Sequence, residues 1–298
     1  MNGLNFNWSR AISRRWFLSL MALSACRAAS TRRNQPLTVG VVTYEDGGKS
    51  IEQYDRFKRY LGEKLQARVD IEPAINETMA LERIQSQRWA LVFAPPGLTA
   101  IALSEHGYKP VLPMFGVENL RSVLVVQNES PIQSISDLSG KAIALGQPGS
   151  VTGYYLPLFN LYGLTLSELM FPVTPKAILE AVSQGKAEVG AVSLKDFNNY
   201  KSQTVPFNLR VLFTDPHSVP AGSVLISSRL DGNAQDALRQ ALSEASSVLA
   251  QEVEFVTNAP VPDYEYIISV VERVRSIFPG DTRESVALLQ QKPVRLFK

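Results

Sequence analysis

The stretch Gln147-Pro148-Gly149-Ser150-Val151-Thr152-Gly153 gathers the residue types that hold an anion without reacting with it. Ser150 and Thr152 supply hydroxyl donors, and Gly149 and Gly153 let a ligand approach the backbone closely. The run Lys141 to Leu145 before it reads as a short buried strand. Tyr154 to Leu161 after it reads as a helix stopped by Gly163. Such a strand, glycine-rich turn and helix leave the first helical N–H groups unbonded, carrying roughly half a positive charge between them. That is how a chain builds an anion seat. A plainer role fits the same residues, with Ser150 as an N-cap worth about 1 kcal/mol that meets no ligand. The local pattern leaves both readings open.

Bond-making chemistry finds little support elsewhere. The chain has two histidines and one cysteine, too few for a plausible zinc site. His106, in Ser104-Glu105-His106-Gly107, reads as a solvated residue at a helix end. His217, in Asp215-Pro216-His217-Ser218, reads as loop surface. Glu45-Asp46 is a paired-acid candidate for general acid–base work, but in a Gly-Gly loop it also reads as a solvated turn. There is no GxxxxGK[ST] and no GxGxxG after a strand, and no cofactor or metal is expected.

The chain has 298 residues, 45% of them hydrophobic and 19% charged, which suits a globular protein with room for two modest cores. Three of its positive charges, Arg10, Arg14 and Arg15, precede residue 26 with no acid among them, so the net charge of +2 becomes −1 for the remainder. No basic stripe interleaved with aromatics points to nucleic acid. The N-terminus reads as a targeting segment. Ser13-Arg14-Arg15-Trp16-Phe17-Leu18 resembles a twin-arginine export signal, and the apolar run Trp16 to Ala25 is too short to span a bilayer. Leu23-Ser24-Ala25-Cys26 resembles a bacterial lipobox, whose cysteine becomes the acylated first residue of the mature chain. Residues 1–25 are therefore expected to be an export signal, and 26–36 the acylated Cys26 with a polar tether. With no second cysteine, the fold has no internal disulfide.

The elements that must position the anion loop alternate. Strands are expected at Leu37 to Thr43, Ala67 to Ile71, Trp89 to Phe93 and Pro110 to Phe115. Helices are expected from Ser50, over Glu77 to Gln87 and over Leu98 to Ser104. The extended run Arg121 to Gln127 opens a second alternation. It holds strands at Lys141 to Leu145, Ala187 to Val192 and Leu209 to Phe213, and helices over Thr152 to Tyr162 and from Thr174-Pro175 to Gly185. Pro157 should kink or shorten the first of these helices. Val224 to Ser227 adds a strand, Asn233 to Gln251 a long helix, and Tyr264 to Phe278 and Thr282 to Gln290 two more. Alternation at this spacing predicts an α/β fold of two mostly parallel sheets with flanking helices. Extended segments near 121–127 and 211–226 join the two lobes. Ligands in such folds sit beyond the carboxyl ends of strands, where the loops at Tyr44, Pro95, Ser150 to Gly153 and Ser193 converge.

From Leu37 to about Leu230 the chain resembles the PhnD-like phosphate, phosphite and phosphonate-binding proteins, type II periplasmic binding components of ABC transporters. The likeness rests on Val39-Gly40, Phe93-Ala94-Pro95, Arg121 to Val126, Asp137-Leu138-Ser139-Gly140-Lys141, Pro148 to Gly153 and Gly185 to Val192. It implies a two-lobed type II fold, with lobe 1 formed by 37–121 plus 222–298 and lobe 2 by 122–221 with its hinge crossings. It also implies a monomeric periplasmic lipoprotein, without catalysis, that closes over a small oxyanion and delivers it to an ABC permease in the inner membrane. The ligand-binding residues it implies are Tyr44, Pro95, Ser150, Val151, Thr152, Gly153 and Ser193. The chain departs from the family pattern in several places. Val151 replaces a hydroxyl residue, Pro96 and Leu98 stand where tyrosines are usual, Thr174-Pro175 stands where a histidine is common, and Ser193 lies near a frequent aspartate. Substituents on the anion would therefore be poorly recognised. A sensor or regulatory binding protein with an altered site, or an enzyme on the same fold, are the alternative readings.

Overall fold

The computed structural model describes residues 36–42, 51–203, 207–277 and 294–296. Cys26 with its export signal and tether, Tyr44, Glu45-Asp46, Ser50 and the helix expected over Thr282 to Gln290 lie outside the described residues.

In chain order, β1 (Leu37–Val42) is followed by a 3-10 turn and α1 (Asp55–Leu65), which buries Phe57 and Leu61. Next come β2 (Val69–Ala74), α2 (Glu77–Gln85), β3 (Leu91–Ala94), α3 (Pro96–Glu105) and β4 (Tyr108–Pro113). Asn76 caps α2, accepting from the Met79 N–H at 2.8 Å. Pro96 opens α3, where its missing N–H costs nothing. Then follow β5 (Ser122–Gln127), β6 (Ala142–Ala144), a π turn (Val151–Tyr155) running into α4 (Leu156–Asn160), β7 (Thr165–Leu166) and β8 (Glu168–Met170). The chain continues through α5 (Pro175–Ser183), β9 (Val189–Ser193), α6 (Leu194–Gln203), β10 (Leu209–Thr214) and β11 (Ser223–Ser227). It ends with α7 (Gly232–Ser243), α8 (Ser247–Glu252), α9 (Glu265–Ile277) and β12 (Val294–Arg295).

Two five-stranded sheets result, ordered β2-β1-β3-β11-β4 and β10-β5-β9-β6-β8. In each, four strands run one way and one is reversed: β11 in the first and β5 in the second. The expected two-lobed α/β fold is observed, and both sheets are mixed because each takes one reversed strand next to a chain crossing. The crossings, after Pro113 and after Thr214, are tied together. Arg121 Nη1 donates to the carbonyls of Asp215 (3.2 Å) and Pro216 (2.6 Å), and the Val219 N–H donates to Leu120 O at 2.7 Å.

Pro157 shortens its helix as expected, and two further features depart from the sequence reading. Pro157 has no N–H to offer Gly153 O, which instead accepts from the Gly146 N–H at 2.8 Å. The turn before Pro157 winds as a π helix, its Tyr155 N–H reaching Ser150 O at 3.1 Å, and α4 is correspondingly short. The long helix expected over 233–251 breaks because Ser246 caps a new helix, accepting from the Leu249 N–H at 3.2 Å. The C-terminal end, assigned from sequence with 222–298 to the first lobe, pairs through β12 with β7 beside the second sheet.

One face of the first sheet packs on α1, α7 and α8 around an aromatic cluster, with Phe57 and Phe93 centroids 5.4 Å apart and edge-on. A second apolar cluster, around Ile178, Val182 and Phe197, backs the second sheet. The largest cluster runs from the other face of the first sheet, through α3 and α9, to the residues beneath the π turn. Burial of each such large side chain stabilises the fold by about 1.5–3 kcal/mol. Among the described residues no helix is long and apolar enough to cross a membrane.

Candidate functional site

A cavity of about 590 Å³ opens between the two sheets. Its walls are helix beginnings. Glu77 starts α2, Pro95 to Gly97 start α3, Gly149 to Gly153 start the π turn, Thr174 to Lys176 start α5, and Ser193 to Asp196 start α6. Each follows the carboxyl end of a strand, so the topology brings five helix N-termini to one place, with Pro95, Pro96 and Pro175 carrying no N–H and the Leu194 N–H bonded to Arg121 O at 2.9 Å. A helix N-terminus carries up to about half a positive charge, and together these favour an anion.

Three of the hydroxyls in this ring are caps. Ser150 Oγ accepts from the Gly153 N–H at 3.1 Å, Thr174 Oγ1 from the Ala177 N–H at 3.2 Å, and Ser193 Oγ from the Asp196 N–H at 3.0 Å. Ser150 and Thr174 use an oxygen lone pair for this, so their own protons stay available to a ligand. The Ser193 proton is committed to Asp196 Oδ2. Thr152 is different. Among the described residues its hydroxyl has no partner, and the N–H groups of Val151 and Thr152 find no backbone acceptor. The Thr152 carbonyl accepts from Ser122 Oγ at 2.6 Å, which fixes the turn to the crossing strand. The Val151 side chain, 4% exposed, packs toward Gly97 and Leu98 rather than adding a polar contact. Gly153 has its N–H on Ser150 and its carbonyl on Gly146, and lies so close to Gly146 that a Cβ would sit 3.2 Å from the Gly146 Cα.

Pro95, Ser150, Val151, Thr152, Gly153 and Ser193 therefore all line one cavity, and Tyr44 lies outside the described residues. The cavity also holds side chains that the sequence reading missed: Lys176 and Lys195, and the α6 residues Asn199, Tyr200 and Gln203. The lysines had a signal. Each is the second residue of its helix, the end where the dipole disfavours a cation, and a cation placed there suggests compensation by an anion. Two acids share the cavity: Glu77, 9% exposed, and Asp196.

The histidines lie elsewhere. His106 follows the end of α3, and its side chain is only 18% exposed, not the solvated residue expected. Burial pushes its pKa down, against the raising effect of the Glu105 carboxylate. The His217 ring stacks on Tyr266 of α9, with centroids 4.0 Å apart, and Nδ1 lies 3.1 Å from Oδ1 of the buried Asp215. Among the described residues no three His, Cys, Asp or Glu side chains are grouped as a metal site.

A family model described as the periplasmic substrate-binding protein of a phosphonate ABC transporter matches residues 39–259. Several solved structures share the fold. XAC2383 from Xanthomonas citri, determined bound to chloride and bound to ATP, superposes with TM-scores of 0.68 and 0.67 at 18% and 17% identity, covering 80% of this chain and 98% of its own. PhnD1 from Prochlorococcus marinus, in complex with methylphosphonate, gives 0.60 at 17% identity, covering 82% of this chain and 100% of its own. A binding component of an ABC phosphonate transporter from Pseudomonas aeruginosa gives 0.60 at 13% identity, covering 86% of this chain and 94% of its own.

Proposed function

Since the chain belongs to the periplasmic substrate-binding proteins of phosphonate ABC transporters, we propose that its cleft takes a phosphorus oxyanion at the Ser150–Gly153 turn and that Cys26 anchors it to the membrane. Family members bind a small ligand and deliver it to a permease. In this reading the chain does so as a monomer without catalysing a reaction, after export through the segment before Cys26. The observation that carries the ligand assignment is the convergence of five helix beginnings on one cavity, with the Thr152 hydroxyl and the first N–H groups of the π turn unbonded at its wall. The methylphosphonate complex of PhnD1, a relative in fold, supports the same ligand class. Pro95, Ser150, Val151, Thr152, Gly153, Ser193 and Tyr44 are the proposed contact residues.

A thermal-shift screen with phosphate, phosphite, methylphosphonate and sulfate tests this. A ligand at about 100 times its Kd stabilises the folded state by about 2.7 kcal/mol. Thr152→Ala should then weaken the best ligand by roughly 1–3 kcal/mol, the range of a hydrogen bond to a charged group. If no oxyanion stabilises the folded protein, or if Thr152→Ala leaves the affinity unmoved, the assignment fails.

A further inference from the structure

The cavity is larger than its anion seat. At about 30 Å³ per water it has room for roughly twenty waters, and a bare tetrahedral anion of five heavy atoms fills a small part of it. One face of α6 forms part of the cavity wall. Asp196, Asn199, Tyr200 and Gln203 are spaced three, four and seven residues apart and all line the cavity, so the lined face extends about 10 Å from the first to the last.

Beyond Asp196 the chemistry of that face is uncharged and hydrogen-bonding. The exposed Asn199 and Gln203 present carboxamides and the half-buried Tyr200 a phenol, side chains that among the described residues make no hydrogen bond within the protein and are left to solvent or a ligand. The Tyr200 ring is held edge-on against Phe207, with centroids 6.2 Å apart, and packs on the apolar cluster behind the second sheet. Asp196 is committed to Ser193. Lys176 and Lys195 disfavour a cationic tail, and Glu77 together with Asp196 disfavours an anionic one.

We propose, building on the oxyanion reading above, that the ligand carries an uncharged hydroxylated tail on its phosphorus oxyanion, read by Asn199, Tyr200 and Gln203 of α6. Side chains that both donate and accept suit hydroxyl groups, which do the same. Tail recognition of this kind makes α6 the specificity element, while the π turn sets affinity for the head group.

Calorimetry on the full chain tests this with four probes: inorganic phosphate, methylphosphonate, glycerol phosphate, and the carbon-linked phosphonate isostere of glycerol phosphate. Glycerol phosphate and its isostere should bind at least about tenfold tighter than phosphate or methylphosphonate, corresponding to two or more net hydrogen bonds. A preference for one over the other separates an ester from a phosphonate source. Asn199→Ala and Tyr200→Phe should each lower the ratio of glycerol phosphate to phosphate affinity about three- to tenfold. Thr152→Ala should weaken all four probes together. If all four bind alike and the α6 variants leave the ratios unchanged, the tail subsite is refuted and the anion seat stands. If none of the four binds to folded protein, the oxyanion reading itself falls and the inference with it.

Discussion

Gly97 of α3 and Gly149 of the loop before the π turn meet across the cleft. A Cβ on Gly97 would lie 2.0 Å from the Gly149 carbonyl oxygen, and one on Gly149 would lie 2.6 Å from the Glu77 Cβ. Gly149 also takes φ 105°, a conformation only glycine adopts readily. The two lobes thus touch through bare backbone, at the point where the proposed anion seat adjoins the start of α3.

Gly97→Ala is therefore expected to hold the lobes apart at this contact. Backbone cannot yield as a flexible side chain can, and forced overpacking costs about 1–3 kcal/mol. Affinity for the best oxyanion should fall about tenfold or more, and scattering should show a smaller ligand-induced compaction than in the parent. Unaltered affinity in a folded variant would show that this contact has no part in closure.

How far the sequence foretold this arrangement follows from where each signal lay. The buried strands were legible because runs such as Leu37 to Val42 and Leu91 to Ala94 are dominated by apolar and β-branched residues. The turn proposed as the anion seat was legible as a turn because Gly149-Ser150 and Thr152-Gly153 follow a strand and precede a helix. The polar face of α6 was not. Asn199 and Gln203 look like any solvent-facing residues of an amphipathic helix, and only the opposing lobe makes that face a wall. The break at Ser246 was hidden inside a regular apolar stripe. The place of α9 was unreadable for a different reason: its stripe of Ile267, Val270, Val271 and Val274 shows that it is covered, and not by what.

Membrane attachment is tested at Cys26. Each buried CH₂ of an acyl chain contributes about 0.8 kcal/mol, and a single chain holds a protein only marginally, so two or more are required for a stable anchor. Cys26→Ala should move the protein from the membrane to the soluble fraction, or leave it unprocessed. A variant that fractionates like the parent would rule out lipid anchoring at this residue.

His106 supplies a pH signature. Its pKa is depressed below the ordinary value of about 6.5, so the unfolded chain takes up the proton at higher pH than the folded one. Over that window stability rises with pH. The contribution is neutral above about 6.5 and becomes a growing penalty as pH falls through the folded value. Denaturant unfolding from pH 7.5 downward should show this decline in the parent, and His106→Gln should flatten it. Equal slopes in the two proteins would exclude His106 as the source.

The helix α9 ties the two lobes by its charges as well as its apolar face. It packs on α3 from one side and on α4 and the π turn from the other. Arg275 Nη1 reaches Glu105 Oε1 of α3 at 2.6 Å, while Arg273, two residues earlier, sits over the Tyr162 ring beyond α4, 5.3 Å from its centroid. A rotation that parts the lobes must break one of these contacts or slide the helix. The ion pair and the cation–π contact are each worth about 0.5–1 kcal/mol at such partly exposed sites. The variant carrying both Arg273→Ala and Arg275→Ala should lose roughly 1–2 kcal/mol of stability. More tellingly, its radius of gyration should change more on adding ligand than the parent's, because the open state is no longer restrained. A ligand-induced change of equal size in both proteins, measured at saturation, would mean that α9 travels with one lobe and restrains nothing.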